Sequence, residues 1–338
     1  MGSAIELDAR EAADGARRQL ARGAPVLREL AARLSARPPA VVVTCARGSS
    51  DHAATFGKYL IETAVGRVVA SAGPSVVSVY GARVDLAGAL VIAVSQSGQS
   101  PDLVRVAEAA RDAGALVVGL LNEETSPLAH ACELVIPLCA GPERAVAATK
   151  SFLLACVAFV QLAAAWTGDA ALAEAATRAP DALAAACEVD WDLEALAAAT
   201  QAYVVGRGLG LAAALEIALK LKETCRIHAE AFSGAEVLHG PVTLVEPGFP
   251  VLAFGQPDAT ADGLRAVLAR LVALGADVRA TLDVPGAALL PAPAIDIPPV
   301  LAPLCQVLSC YLALPRLAAA RGLDADRPRH LIKVTETL

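Results

Sequence analysis

Aromatic residues are scarce in this chain: they make up 4% of 338 residues, with two Trp, four Tyr and six Phe, and there is a single Met. Yet 56% of the residues are hydrophobic, so the apolar content is mostly Ala, Val and Leu, the composition of helices layered on parallel strands. That content excludes disorder. Basic blocks are missing too. The 28 Lys and Arg are scattered among 35 Asp and Glu, for a net charge of −7. This balance argues against nucleic acid and against a membrane surface as partners, because clustered positive charge is what binds them. The first 18 residues lack an apolar secretory core and alternate in charge, so the chain is expected in the cytoplasm. Eight Cys include no Cys-x-x-Cys pair and lie mostly in apolar runs. They read as reduced core thiols; neither a metal nor a cofactor is expected. The run Ser151–Gly168 is uncharged, but it contains Gln161 and only reaches the lower length limit for a span. It reads as a buried helix.

What is present is an alternation of strand, turn and helix. Apolar positions at helical spacing predict a leading helix over residues 1–35, ending before Pro38-Pro39. Strands are predicted at 40–45, 67–72, 89–94, 115–121 and 134–138, with helices after the turns at 47–50 and 95–100, so a sheet of about five strands results. A register shift of 160 residues then places Arg47-Gly48 on Arg207-Gly208, Gln96 on Gln256, and Asp102-Leu-Val-Arg on Asp262-Gly-Leu-Arg. Three features in one register imply a second α/β domain of the same type. The expected division is 1–35 leading helix, 36–166 first domain, 167–198 helical linker, 199–322 second domain and 323–338 tail.

The two copies differ at their turns. Ser49-Ser50 and Ser95-Gln96-Ser97-Gly98-Gln99-Ser100 sit where strands lead into helix N-termini, and they offer hydroxyls and backbone N–H groups to an anion. The bland alternative is ordinary helix capping by Ser. The corresponding segment of the second copy, Gly255-Gln256-Pro257-Asp258-Ala259, has lost the hydroxyls and gained an acid. Only the first copy is expected to hold an anion.

Three further groups carry candidate chemistry. Glu216, Lys220 and Glu223 fall at i, i+4 and i+7 of a predicted helix and share a face, either as a reactive cluster or as a solvated salt-bridge row. His239, one of five His, precedes Gly-Pro in a restricted turn, either as a proton-exchanging group or as an exposed side chain. The tail from Asp324 to Glu336 lacks core periodicity, so it either frays or folds over a site.

At these residues the sequence resembles the SIS (sugar isomerase) family, and within it the isomerase half of glucosamine-6-phosphate synthases. The resemblance spans about residues 36–338. It rests on Ser95-Gln96-Ser97-Gly98, Val146-Ala147-Ala148-Thr149-Lys150, the run from Ala214 to Glu223 with His228-Ala229-Glu230-Ala231, His239-Gly240-Pro241, and the tail Asp326–Lys333. The fold implied is two tandem SIS domains, each a flavodoxin-like three-layer α/β sandwich. The resemblance implies that Ser49, Ser50, Ser95, Gln96, Ser97 and Ser100 hold a sugar phosphate and that Ala147 meets the sugar hydroxyls. It implies Glu223 as the base between C1 and C2, His239 from a partner subunit as the ring-opening group, Lys333 as a Schiff-base amine, and Glu216 and Lys220 as lining residues. A homodimer with shared sites follows from the same source.

Departures shape the expected activity. Gly2 follows the initiator Met where the synthases carry a cysteine nucleophile, so a glutaminase half is expected to be absent. The implied reaction is therefore that of the stand-alone SIS-type deaminases, which convert glucosamine 6-phosphate to fructose 6-phosphate and ammonia. The alternatives are a galactosamine 6-phosphate deaminase, a fructosamine 6-phosphate deglycase and a non-catalytic sugar-phosphate sensor. Arg47 replaces the family's usual Cys, and Ile332 replaces a small residue before the tail Lys.

Overall fold

The computed structural model describes residues 2–333. In the first repeat, β1 (Val42–Cys45), β2 (Val69–Ser71), β3 (Leu90–Ser95), β4 (Leu116–Leu121) and β5 (Leu134–Pro137) form a parallel sheet in the order β2-β1-β3-β4-β5. The helices of this half of the chain are α1 (Ala4–Arg10), α2 (Ala12–Ala36), α3 (Ser49–Leu60), α4 (Pro74–Ser78), α5 (Pro101–Asp112), α6 (Pro127–Ala131), α7 (Lys150–Thr167) and α8 (Ala170–Ala186). Strands β1 and β3 are buried along their whole length, as parallel strands covered by helices on both faces must be. Val43, Val91 and Val117 sit side by side across three strands and meet Leu103, Val106 and Ala110 of α5 in one core.

The second repeat reproduces this topology. Strands β6 (Gln201–Gly206), β7 (His228–Ser233), β8 (Pro250–Phe254), β9 (Asp277–Ala280) and β10 (Ala288–Leu289) are parallel in the order β7-β6-β8-β9-β10. Their helices are α9 (Gly210–Cys225), α10 (Ala261–Ala273) and α11 (Ala302–Ala320). Val205, Val251, Leu264, Leu268 and Val278 form the core of this half. Position for position this is the order of the first sheet, so the α/β reading with two flavodoxin-like sheets holds. The shift of 160 carries β1, β3 and α5 onto β6, β8 and α10, whereas β10 and α11 lie ahead of the register.

Spatially the chain divides into two compact units. Among the described residues, one takes 14–143, 150–180 and 332–333; the other takes 2–13, 144–149 and 181–331. The leading helix is two helices, broken at Glu11, which closes α1 and binds Arg144 at 2.7 Å. The helical bridge ends at Ala186, followed by irregular chain and one short turn at 194–196. The segment after α9 is an edge strand, β7, which the sequence pattern does not predict. Helix α7 carries the uncharged run after Lys150, and its residues from Lys150 to Ala164 are buried. The segments Lys150–Thr167 and Pro299–Ala320 are both long and apolar enough to cross a membrane, but 83% and 72% of them lie buried within the fold. All eight Cys are free, and most are buried; burial pushes the Cys45 thiol up to about 12.

Candidate active site

The serine turns lie at the carboxyl ends of β1 and β3, where an open parallel sheet binds ligands. Gly48 is the N-cap of α3 with φ +55°, a backbone that places Ser49 at the first helical position. No side chain caps α3; the amides of Ser50 and Asp51 donate to the Arg47 and Gly48 carbonyls at 3.1 and 2.9 Å. Helix α5 is similar. Ser100 stands at the N-cap and makes no capping bond, and Pro101 begins the helix. Between them Ser95 Oγ accepts from the Gly98 amide at 3.0 Å, and Ser97 Oγ accepts from Gln99 N at 3.3 Å. Gly98 has φ +62°, and a Cβ there would collide with the Ser126 hydroxyl. By contrast Ser3 and Ser126 do cap their helices, so capping does not account for Ser49 and Ser100. Arg47 pairs with buried Asp102 at 2.8 Å and so flanks both turns. Burial raises the Asp51 carboxyl pKa in the first turn, an effect opposed by His52 and Arg47.

In the second repeat the equivalent turn is closed on itself. Asp258 accepts from Thr260 N at 2.7 Å, from the Thr260 hydroxyl, and from Gln256 Nε2 at 2.8 Å. Gln256 Nε2 also reaches Arg207 O at 3.1 Å. A carboxylate of the chain thus takes the amide and hydroxyl at the start of α10. Gln96, its counterpart, makes no side-chain hydrogen bond among the described residues.

Glu216, Lys220 and Glu223 do share one face of α9, and that face is not solvated. Lys220 is 1% exposed and Glu216 fully buried, with Nζ 3.4 Å from Glu216 and 2.6 Å from Glu223 Oε2. Tyr311 of α11 donates to Glu216 at 2.8 Å. Buried charges survive only when partnered, and here each one is. Glu223, 17% exposed, is the member open to a ligand. It lines a cavity of about 450 Å³ with Lys222, Arg226, Arg329, His330 and Leu331. Arg226 closes α9 in the left-handed conformation, φ +51°.

His239 follows a short turn with its backbone amide on Glu236 O at 2.9 Å, and its imidazole is exposed with no bond among the described residues. Ala147 is buried in the segment 144–149. The Lys333 amine lies 3.1 Å from Oε2 of buried Glu143, which also accepts from the Ser151 amide and hydroxyl at 3.0 and 2.9 Å. The tail is thus tied down through Lys333; its continuation to Glu336 lies outside the described residues. Sequence reasoning missed Glu143, Tyr311, Asp8 and the Arg47–Asp102 pair. Only Asp102 left a signal, through its repeat mate Asp262. That residue is exposed and pairs with Arg265 instead.

The SIS domain model matches residues 40–165 and 195–291, more than half the chain. The chain belongs to the SIS family. It is 36% identical over 307 residues to the glutamine–fructose-6-phosphate aminotransferase (isomerizing) of Aeropyrum pernix, a match covering 85% of this chain and 49% of that protein. The Symbiobacterium thermophilum enzyme of the same name is 35% identical, with 90% and 52% covered. The chain therefore spans about half the length of these curated relatives. Among solved structures, a proposed phosphosugar isomerase of Silicibacter pomeroyi is 43% identical with a TM-score of 0.90, covering 96% of this SIS chain and 100% of that one. The glucosamine-6-phosphate deaminase of Thermotoga maritima, 20% identical with a TM-score of 0.72 over 96% and 100%, shares the fold.

Proposed function

We propose that this SIS protein is an aldose–ketose isomerase of amino-sugar phosphates that releases ammonia from glucosamine 6-phosphate to give fructose 6-phosphate. The observation that carries this reading is the α9 cluster: a half-open carboxylate, Glu223, with one oxygen held by the buried Lys220 and the other unbonded among the described residues. A carboxylate fixed in this way suits proton transfer between neighbouring carbons. Relatives named for fructose-6-phosphate chemistry support the substrate class.

In this mechanism the turn hydroxyls and amides of Ser49, Ser50, Ser95, Gln96, Ser97 and Ser100 hold the phosphate, and Ala147 meets the sugar. His239, contributed by the partner subunit of a homodimer, protonates the ring oxygen; its exposure and its lack of a side-chain bond among the described residues support that source. Glu223 then removes the C2 proton of the open aldose and returns it to C1, leaving a 2-imino ketose. Lys333 leaves its pair with Glu143, takes C2 from the departing ammonia, and is released when water adds to give the ketone. Glu216 and Lys220 keep Glu223 in place. With ammonia dilute, mass action favours release.

The test is ammonia production from glucosamine 6-phosphate, with galactosamine 6-phosphate and a fructosamine 6-phosphate run in parallel. Release from the first substrate alone is expected. Release only from one of the others transfers the assignment to it, and sugar-phosphate binding without release from any leaves a sensor.

A further inference from the structure

Helix α1 makes polar contacts to two irregular segments of the chain, 144–145 and Asp326, rather than to a strand. Asp8, fully buried, accepts from Arg144 N at 2.6 Å, from Ala145 N at 2.8 Å and from the Arg144 guanidinium at 2.9 Å. At its other end the amides of Ala4 and Ile5 donate to Asp326 of the tail at 2.7 and 3.1 Å. Beyond Arg144 the chain runs on to Ala147; beyond Asp326 it runs on to Arg329 and His330, which line the Glu223 cavity. A seven-residue helix has little stability of its own, so these contacts and its packing on α11 fix its place.

We propose that α1 is a strap that positions both segments for catalysis, with Asp8 as the positioning residue for 144–149 and Asp326 for the tail. Charge-assisted bonds from two consecutive amides to one carboxylate oxygen fix the backbone direction of the segment carrying Ala147. The carboxylate touches no reacting atom. Its effect on rate passes through the geometry of that backbone, where small displacements reduce turnover strongly. The inference rests on the proposed function in assigning roles to Ala147 and the tail, but the strap itself is tested without it.

The experiment uses the full chain with Asp8→Asn, Asp326→Asn and, as a control, Glu11→Gln, which takes the charge out of the exposed pair with Arg144 and leaves Asp8 in place. Asparagine keeps the volume of Asp8 but turns an amide group toward a donor. Hydrogen exchange of residues 144–149 is expected to rise at least tenfold in Asp8→Asn, and that of 324–331 in Asp326→Asn, with Glu11→Gln unchanged. With a substrate that the wild type turns over, kcat falls about tenfold or more while KM stays within about threefold, because the phosphate is gripped elsewhere. If Asp8→Asn does not fold, Asp326→Asn carries the same readouts. Unchanged exchange in the folded variants overturns the strap whatever the protein's activity. Raised exchange with unchanged kcat overturns its catalytic role.

Discussion

The start of α5 in the first repeat and the start of α10 in the second occupy the same place in the same topology, yet one is open and the other is filled. Ser100 at the first makes no capping bond, whereas Thr260 at the second gives its amide and hydroxyl to Asp258. The Gln96 side chain makes no hydrogen bond among the described residues; Gln256 is knitted to Arg207 and Asp258. Arg47 is held beside the first turn by buried Asp102, while Asp262 turns outward to Arg265. The same turn is thus left without a side-chain cap in one copy and tied into internal structure in the other. The second copy carries instead the Glu216–Lys220–Glu223 cluster, at helix positions where the first copy has Phe56, Leu60 and Thr63. Under the proposed function, binding and proton transfer are divided between the copies.

The largest break in that division is expected from Glu223→Gln, which keeps size and hydrogen bonding but removes the base. Turnover should fall by about two orders of magnitude or more, while the Kd for a sugar phosphate, measured by calorimetry, stays within about threefold. A matched loss of affinity would mean that the second copy binds phosphate too.

The turns themselves should respond in opposite ways. Ser100→Ala in the first copy is expected to raise KM by about tenfold, near 1.4 kcal/mol, with an unchanged melting temperature. Asp258→Ala in the second orphans a partly buried amide donor and a hydroxyl. It should cost about 1–3 kcal/mol, read as a Tm lowered by several degrees, with KM unchanged. Swapped outcomes would invert the assignment of the copies.

A smaller effect sharpens the homodimer. A chain carrying His239→Ala mixed with one carrying Ser97→Ala and Ser100→Ala should recover about a quarter of wild-type activity, because half the dimers are hybrids and each hybrid has one intact site. No recovery after verified subunit exchange would place His239 in its own chain's site.

Much of this was legible in the sequence for a physical reason. Buried parallel strands are short apolar runs followed by Gly- and Ser-rich turns, so β1, β3 and β4 stand out within a residue or two, and the repeat shift exposes their second copies. The periodicity of α9 put its three charged residues on one face. Whether that face was buried depended on Tyr311, far along the chain, which no local pattern could supply. The edge strand β7 was hidden because His228 and Glu230 interrupt its apolar pattern, as an edge exposed to water allows. Asp8 and Glu143 looked like ordinary helix and loop acids. Their burial is created by long-range hydrogen bonds from Arg144, Ala145 and Ser151.

The central claim is that Glu223 moves a proton on a sugar phosphate held by other residues. The direct measurement is deuterium incorporation at C1 of fructose 6-phosphate incubated with enzyme in heavy water and followed by NMR. Wild-type protein should exchange one C1 hydrogen, and Glu223→Gln, shown by calorimetry to bind the same ligand, should exchange about a hundredfold more slowly or not at all. Exchange at the wild-type rate in the Gln variant would contradict the account.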